Sequence, residues 1–317
     1  MPNLSLEPLA QADNRRLSAL MDEEERTWRV ELDWDYSPIR RILASFLERR
    51  ALPGYAAWDQ GRAVGYTYFL IQKDRGIIGA AYACRPQVQE AGDRLLTLAI
   101  QSLQESRNIR RIEAQIIPLN EMEVTPVFRR HAFECFDREY LELDLATFRP
   151  EGDDPPVSRL IPWDSAYLPD AARVAFRSYR NEVDALISED YGSPEGCESY
   201  LRSLVEHPGC GIFLPRASSI CLDSRGAPCG FIICSSISSQ SGMIAQISID
   251  PAHQGLGVGT LLIRRTMRQL TAAGCRKARL TVSRGNRRAL GWYLRLGFSV
   301  RRSFGAYVWL RQAEAMD

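Results

Sequence analysis

Two short stretches of this 317-residue chain carry residues whose types and spacing can do chemistry. The first is MIAQISIDPAHQGLGVGTLLIRR, residues 243–265, in which an apolar run ends at Pro251 and glycines follow at 255, 257 and 259. Glycine lets a backbone turn tightly and lets a ligand approach it closely. The amides of a helix's first turn have no partners within the helix, and its dipole places positive potential there. Gln254, Gly255, Leu256, Gly257, Val258, Gly259 and Thr260 therefore form a candidate cradle for a pyrophosphate. The plainer alternative is glycines that serve only a tight turn. The second stretch is NRRALGWYLRLGF, 286–298. Asn286 suits a helix start and Gly297 a helix end, with Ala289 and Tyr293 four residues apart on one face. A phenol titrates near pH 10, so Tyr293 stays protonated at neutral pH and can give its proton to a departing thiolate. Its plainer alternative is a packed helix aromatic.

Other chemistries fit less well. No Gly-Lys-Ser/Thr follows the glycines, so a P-loop's lysine and magnesium-binding hydroxyl are missing. The turn also lies deep in its half of the chain, and no ribose-binding acid ends the segment 277–282, which argues against a dinucleotide site. The eight cysteines form no CxxC pair and only three histidines are present, so no metal-ligand spacing is visible. Cys234 and Cys275 read as packing residues, since no Cys-His partnership supports a covalent route. A base is not evident. Gln246 on the strand before the loop is a glutamine and cannot act as a base, and Glu182, Asp184, Glu189 and Asp190 form a cluster that also reads as a solvated patch.

The elements that must position these residues follow a regular order. Helical segments are expected at 168–179 and about 195–206, then a hairpin through SSICLD, SRGAP and CGFIICSSI. A strand at 243–249 leads through DPAHQG into a helix from near Gly257, with Gly274 as its stop. A strand at 277–282, a helix at 286–296 and strand-like segments in FSVRRSFGAYVWL complete the half. The first half repeats this order. Gly61 and Gly226, Gly65 and Gly230, and Phe133 and Phe298 are each 165 residues apart, while Leu95-Leu96 precede Leu261-Leu262 by 166. Such constant spacing points to two copies of one α+β unit. The Pro-, Gly- and acid-rich FRPEGDDPPVS at 148–158 reads as a linker, placing domains at 1–150 and 157–317.

Composition sets the outer limits. With 45% hydrophobic and 25% charged residues the chain is globular, and a net charge of +1 offers no basic surface for nucleic acid or an anionic membrane. No apolar run approaches 18 residues and the N-terminus lacks a signal-peptide pattern, so a cytoplasmic protein with reduced thiols is expected.

The two stretches together resemble the GCN5-related N-acetyltransferase (GNAT) superfamily. Its Gln/Arg-x-x-Gly-x-Gly/Ala element is matched by Gln254, Gly257 and Gly259. Its later Asn-x-x-Ala-x-x-x-Tyr-x-x-x-Gly-Phe pattern is matched by Asn286, Ala289, Tyr293, Gly297 and Phe298. The resemblance extends over about 159–310. It implies two tandem acyl-CoA N-acyltransferase domains of mixed α/β (α+β) class, each a central, mostly antiparallel sheet flanked by helices. It implies acetyl-CoA as co-substrate and no metal, with the backbone of Ile247 and Ile249 receiving the pantetheine arm and the amides of 254–260 its pyrophosphate. Asn286 would face that arm, and Tyr293 would act as general acid at the sulfur. An amine, small-molecule or peptide, would attack the thioester directly; a homo-oligomer fits equally well. The first half resembles the family more weakly. RPQVQEAGDRLLTLAIQ lacks the glycine pattern, Phe128 stands 165 residues before Tyr293 without a hydroxyl, and Asn120 echoes Asn286. A degenerate copy is expected there. The alternative for the whole chain is a non-catalytic acyl-CoA-binding or regulatory module.

Overall fold

The structure, a computed structural model, describes residues 4–149 and 159–312. Most of the expected linker, 150–158, lies outside the described residues. The chain divides into two units: unit 1 holds the residues up to Asp137 and those from Phe304 onward, and unit 2 is Arg138–Ser303.

Unit 1 is built from β1 (Ser5–Pro8), α1 (Asn14–Leu32), α2 (Ser37–Glu48), β2 (Gly54–Asp59), β3 (Arg62–Gln72), β4 (Arg75–Ala83), α3 (Val88–Glu105), β5 (Arg111–Ile116), α4 (Thr125–Arg130) and the start of β6 (Glu134–Asp144). Its strands follow the order β1-β2-β3-β4-β5, antiparallel except for the pair β4–β5. Unit 2 continues with β7 (Arg159–Pro162), α5 (Leu168–Tyr179), α6 (Asp184–Ile187), α7 (Pro194–Glu206), β8 (Ile212–Phe213), β9 (Ser219–Leu222), β10 (Pro228–Ser236), β11 (Ser241–Ile249), α8 (Val258–Ala272), β12 (Lys277–Ser283), α9 (Arg287–Arg295) and β13 (Ser299–Leu310), which ends in unit 1. Its order is β12-β11-β10-β9-β7, again antiparallel except for β11–β12, with β8 also on β10. This is the mixed α/β class, with mostly antiparallel sheets, that the sequence predicts.

The repeat is visible in detail. Gly61 and Gly226 turn their hairpins with φ of +78° and +81°, a left-handed conformation that side chains disfavour. A Cβ on Gly65 would stand 2.9 Å from Leu95, and one on Gly230 would stand 3.4 Å from Leu262 and 3.0 Å from Val258. The two glycines thus bring α3 and α8 against their strands in the same way. Leu96 and Leu262 are both fully buried.

Each unit is completed by a strand from the other half of the sequence. Residues 305–310 of β13 pair antiparallel with β5, and residues 138–144 of β6 pair antiparallel with β12. The sequence division at 1–150 and 157–317 follows the repeat, whereas the compact units trade these two strands. Alternation identifies a strand and its buried face; it does not say which edge the strand joins. In unit 2 the incoming segment is secured by Leu141 and Leu143 in the core. Lys277 Nζ lies 2.8 Å from Glu142 Oε1, and Arg284 Nε donates to Glu139 Oε1 at 2.7 Å.

Unit 1 also buries an acid. Glu24 of α1 accepts from the Tyr66 hydroxyl at 2.5 Å and from Trp28 Nε1 at 3.2 Å, at 1% exposure. Burial outweighs these two donors and pushes its carboxyl up to about 7.

Two outcomes follow. Removing residues 304–317 should strip β5 of its outer partner, and hydrogen exchange should show lost protection along Arg111–Ile116. Folding holds the Glu24 proton to higher pH than the unfolded chain does, so its contribution is most favourable below about 4.5 and is lost as pH rises to about 7. Denaturant titrations of wild type and Glu24→Gln should accordingly diverge across that window, by up to about 3 kcal/mol in favour of the glutamine at pH 8.

Candidate active site

The site begins where two strands part. β11 pairs with β12 only over Ser241–Ile244, although β11 runs on to Ile249 and β12 to Ser283. From residue 245 to 249 the side of β11 that faced β12 is open. Ile247 and Ile249 lie on this free segment, half-buried against the core below α8 and α9.

The chain then turns into α8. Asp250 caps the turn by accepting from the Ala252 amide at 3.0 Å, and Arg177 Nε donates to its other oxygen at 2.7 Å. Gly255 and Gly257 take φ of +79° and +84°, so the sequence needs glycine at both. The amides of Gly255 through Thr260 make no hydrogen bond among the described residues. No acidic side chain occupies the first turn of α8. Gly259 serves helix packing instead, since a Cβ there would stand 3.1 Å from the Trp292 ring; its absence admits α9 close to α8. Gln254 is a structural clasp. Its Nε2 donates to the Ile249 carbonyl at 3.2 Å, and its Oε1 accepts from Arg288.

Asn286 caps α9, accepting from the Ala289 amide at 3.0 Å, which leaves its Nδ2 as a donor for a ligand. Tyr293 is 6% exposed, packed by Trp292 and Phe298, and its hydroxyl has no partner among the described residues. Burial foremost, then the nearby Tyr179 and Asp184, pushes its phenol well above the usual range. It therefore keeps its proton at any physiological pH.

These pieces enclose one cavity of about 390 Å3, lined by Ile247 and Ile249, by Gln254, Gly255, Gly257, Gly259 and Thr260, and by Asn286 and Tyr293. Of the residues singled out from the sequence, Leu256 and Val258 do not line it. Leu256 is 59% exposed and the Val258 side chain is buried in the core; both border a separate hollow of about 330 Å3. Their amides remain part of the α8 start.

The cavity also contains residues that motif spacing did not reveal. Arg288 and Arg295 supply positive charge, His253 a further polar side chain and Trp292 a flat wall, and Ser178, Tyr179 and Glu182 come from the end of α5 and the turn after it. The helix α5 is expected from the sequence, but no local pattern marks its role at the cavity, which depends on packing against β11. The four candidate acids separate cleanly. Glu182 is the one carboxylate among the lining residues. Asp184 is buried, accepting from Ser283 Oγ at 2.8 Å with Arg138 at 3.7 Å. Asp190 takes a bond from Ser188, and Glu189 is exposed. Cys234 and Cys275 are buried in the core, and burial pushes the Cys234 thiol up to about 12. Among the described residues no cluster of three or more His, Cys, Asp or Glu is placed to hold a metal.

Unit 1 parts its strands in the same way, since β4 meets β5 only over Arg75–Ile78. Here the opening is occupied by the chain itself. Asn120 Nδ2 donates to the Ala83 carbonyl at 3.0 Å and approaches the Tyr82 hydroxyl at 3.3 Å. Leu119, Met122 and Val124 of the same segment are buried, and Met122 packs on Gly92 of α3. Phe128 lies fully buried, stacked on Tyr307 at 3.9 Å. Asn120 thus ties a loop to the strand end and caps no helix.

Residues 180–298 match the model of the acetyltransferase (GNAT) family. The chain therefore holds a GNAT-family domain, and that domain lies in unit 2. Among solved structures it is similar to a tandem GNAT protein from the clavulanic acid biosynthesis pathway, at 14% identity and a TM-score of 0.64, over 98% of this chain and 100% of that one. It is similar also to a GCN5-related N-acetyltransferase from Sphaerobacter thermophilus, at 14% identity and a TM-score of 0.68, over 98% and 96%. An acetyltransferase of the GNAT family from Colwellia psychrerythraea aligns at 10% identity and a TM-score of 0.54, over 97% and 100%. These likenesses carry the fold. No curated protein matches the sequence. No helix among the described residues is long and apolar enough to cross a membrane.

The GNAT loop yields a direct test. Gly257→Asp forces a side chain into the left-handed region and places a carboxylate at the amide cradle. Calorimetry on the full-length variant should show CoA affinity reduced at least about tenfold, the cost of roughly 1.4 kcal/mol, with the fold retained by circular dichroism.

Proposed function

We propose that unit 2 transfers an acetyl group from acetyl-CoA directly to an amine, whether of a small molecule or a peptide. The observation that carries this reading is the convergence on one cavity of the unpartnered α8 amides, the parted segment of β11 and the Tyr293 hydroxyl. The α8 amides and dipole suit the pyrophosphate, with Arg288 and Arg295 adding positive charge. The open backbone of 245–249 suits the amide-bearing pantetheine arm, which would lie along it as an added strand does, with Asn286 Nδ2 alongside. In unit 1 the end of the parted strand is instead tied by Asn120 to a segment whose Leu119, Met122 and Val124 are buried.

Chemistry then follows from the opposite end of the cavity. The amine attacks the thioester carbonyl; Glu182, the carboxylate on the wall, accepts the proton the amine must lose. As the carbon–sulfur bond breaks, Tyr293 supplies a proton to the thiolate. A phenol whose proton is held by burial is a weak acid at rest. The same low-polarity surroundings raise the basicity of the thiolate that forms, which restores the match as charge develops.

A screen for CoA release from acetyl-CoA across primary amines tests the reading. Amine-dependent release supports it; tight acetyl-CoA binding with no release under any amine favours a non-catalytic binding module. Tyr293→Phe should bind acetyl-CoA like wild type and slow single-turnover transfer by about 10²–10⁴-fold. Glu182→Gln should slow transfer by about 10²-fold at neutral pH, and the deficit should shrink as pH passes the acceptor's own pKa, where the amine enters neutral. Wild-type rates in either folded variant would remove that residue from the mechanism.

A further inference from the structure

Tyr179, the last residue of α5, shares the cavity with Tyr293, and its hydroxyl is held by a specific chain of hydrogen bonds. Gln246 Nε2 donates to Tyr179 Oη at 3.1 Å. The orientation of that amide is set from its other end, where the Tyr191 hydroxyl donates to Gln246 Oε1 at 3.1 Å. The same Nε2 reaches Ser248 Oγ, also at 3.1 Å. The rings add rigidity: Tyr179 stacks on Tyr191 at 4.1 Å and 18°, and Tyr200 meets Tyr191 edge-on at 5.6 Å. Gln246 itself is 5% exposed. It is sealed beneath the site.

A phenol oxygen that accepts a hydrogen bond still has its own proton to give. No described residue takes that proton from Tyr179. The hydroxyl is pinned to β11 one residue before Ile247, on the parted segment, and Tyr179 lines the cavity that Tyr293 also lines, so its unclaimed proton can turn to a ligand there. Burial, with Asp184 next, pushes the Tyr179 phenol up, so it serves as a lasting donor and not as a proton source. A donor fixed in advance, in a site with little water, is what a carbonyl oxygen needs as it gains negative charge. The arrangement also gives glutamine at 246 a reason. A carboxylate there would take the Tyr179 proton and turn it away from the cavity.

We propose that Tyr179, positioned by Gln246 and Tyr191, donates a hydrogen bond to the acyl carbonyl oxygen, and to the oxyanion that replaces it when the amine adds. The proposal rests on the reading of this cavity as an acetyl-CoA site. No proton changes hands at Tyr179; the bond shortens as charge accumulates and relaxes when the carbonyl re-forms.

Isotope-edited infrared spectroscopy of acetyl-CoA, labelled with carbon-13 at the thioester carbonyl and bound to the full chain, tests this without an acceptor. In wild type the carbonyl band should fall below its position in free acetyl-CoA, and in Tyr179→Phe it should return toward that position. The ratio of acetyl-CoA to CoA affinity should drop about fivefold in Tyr179→Phe, the worth of one neutral hydrogen bond, with CoA affinity unchanged. Gln246→Glu keeps the shape and turns the donor into an acceptor, so at pH 8 it should reproduce both changes; it also decides the matter if Tyr179→Phe fails to fold. A wild-type band that does not shift on binding, or one that stays shifted in the folded variants, overturns the role of Tyr179 and leaves the acetyl-CoA reading intact. A wild-type chain that binds no acetyl-CoA overturns both.

Discussion

Everything at the candidate active site depends on β11 leaving β12 after Ile244. Two parallel strands that stayed paired would satisfy each other's backbone groups and present no opening. By parting they leave unpaired backbone beside a helix N-terminus, and unpaired backbone groups in a cleft must find a partner. The loop that follows is shaped by the same need. Gly255 and Gly257 adopt conformations that a side chain resists, and the turn they make starts α8 with its first amides unpartnered among the described residues. Gln254 then clips the loop to the end of the strand and to Arg288 of α9. The cavity is thus built mainly from main chain, with side chains holding the main chain in place.

The two units show how one frame reaches opposite outcomes. In both, the carbonyl that ends the parted strand is capped by a side-chain amide: Ile249 by Gln254, Ala83 by Asn120. In unit 2 that amide comes from the loop leading into the helix, and the opening beyond it stays clear. In unit 1 it comes from the segment after β5, which brings Leu119, Met122 and Val124 with it and closes the gap with apolar side chains. Phe128 stacked on Tyr307 completes that packing. A hydroxyl at this depth would need a partner, so loss of the tyrosine and filling of the cleft are consistent with each other.

Tyrosines do more than pack in unit 2. Tyr179 and Tyr191 grip Gln246, with Tyr200 edge-on to Tyr191, and the order of donors and acceptors around that amide leaves the Tyr179 proton unclaimed among the described residues. A hydrogen-bonded polar network in a buried place fixes the orientation of its members. Asp184 lies in the same region, tied to Ser283 and near Arg138. This leaves Glu182 as the carboxylate that faces the cavity.

How much of this was legible in the chain itself differs by feature. Turn glycines, helix caps and the 165-residue repeat are local, because they express backbone conformation and short-range periodicity; the expected helix at 168–179 and the Asn286 cap are found where the sequence puts them. The order of glycines, Asn286 and Tyr293 was enough to locate one wall of the cavity and its family. Two things needed the tertiary structure. One is the trade of β6 and β13 between units, because a strand's sequence records its faces and not its neighbour. The other is the opposing wall of Tyr179 and Glu182, which comes from α5 and the turn after it, some seventy residues before the glycine loop. Their roles arise only when packing brings α5 onto β11, and the fate of each opening, clear in unit 2 and filled in unit 1, is decided by which distant side chains reach it.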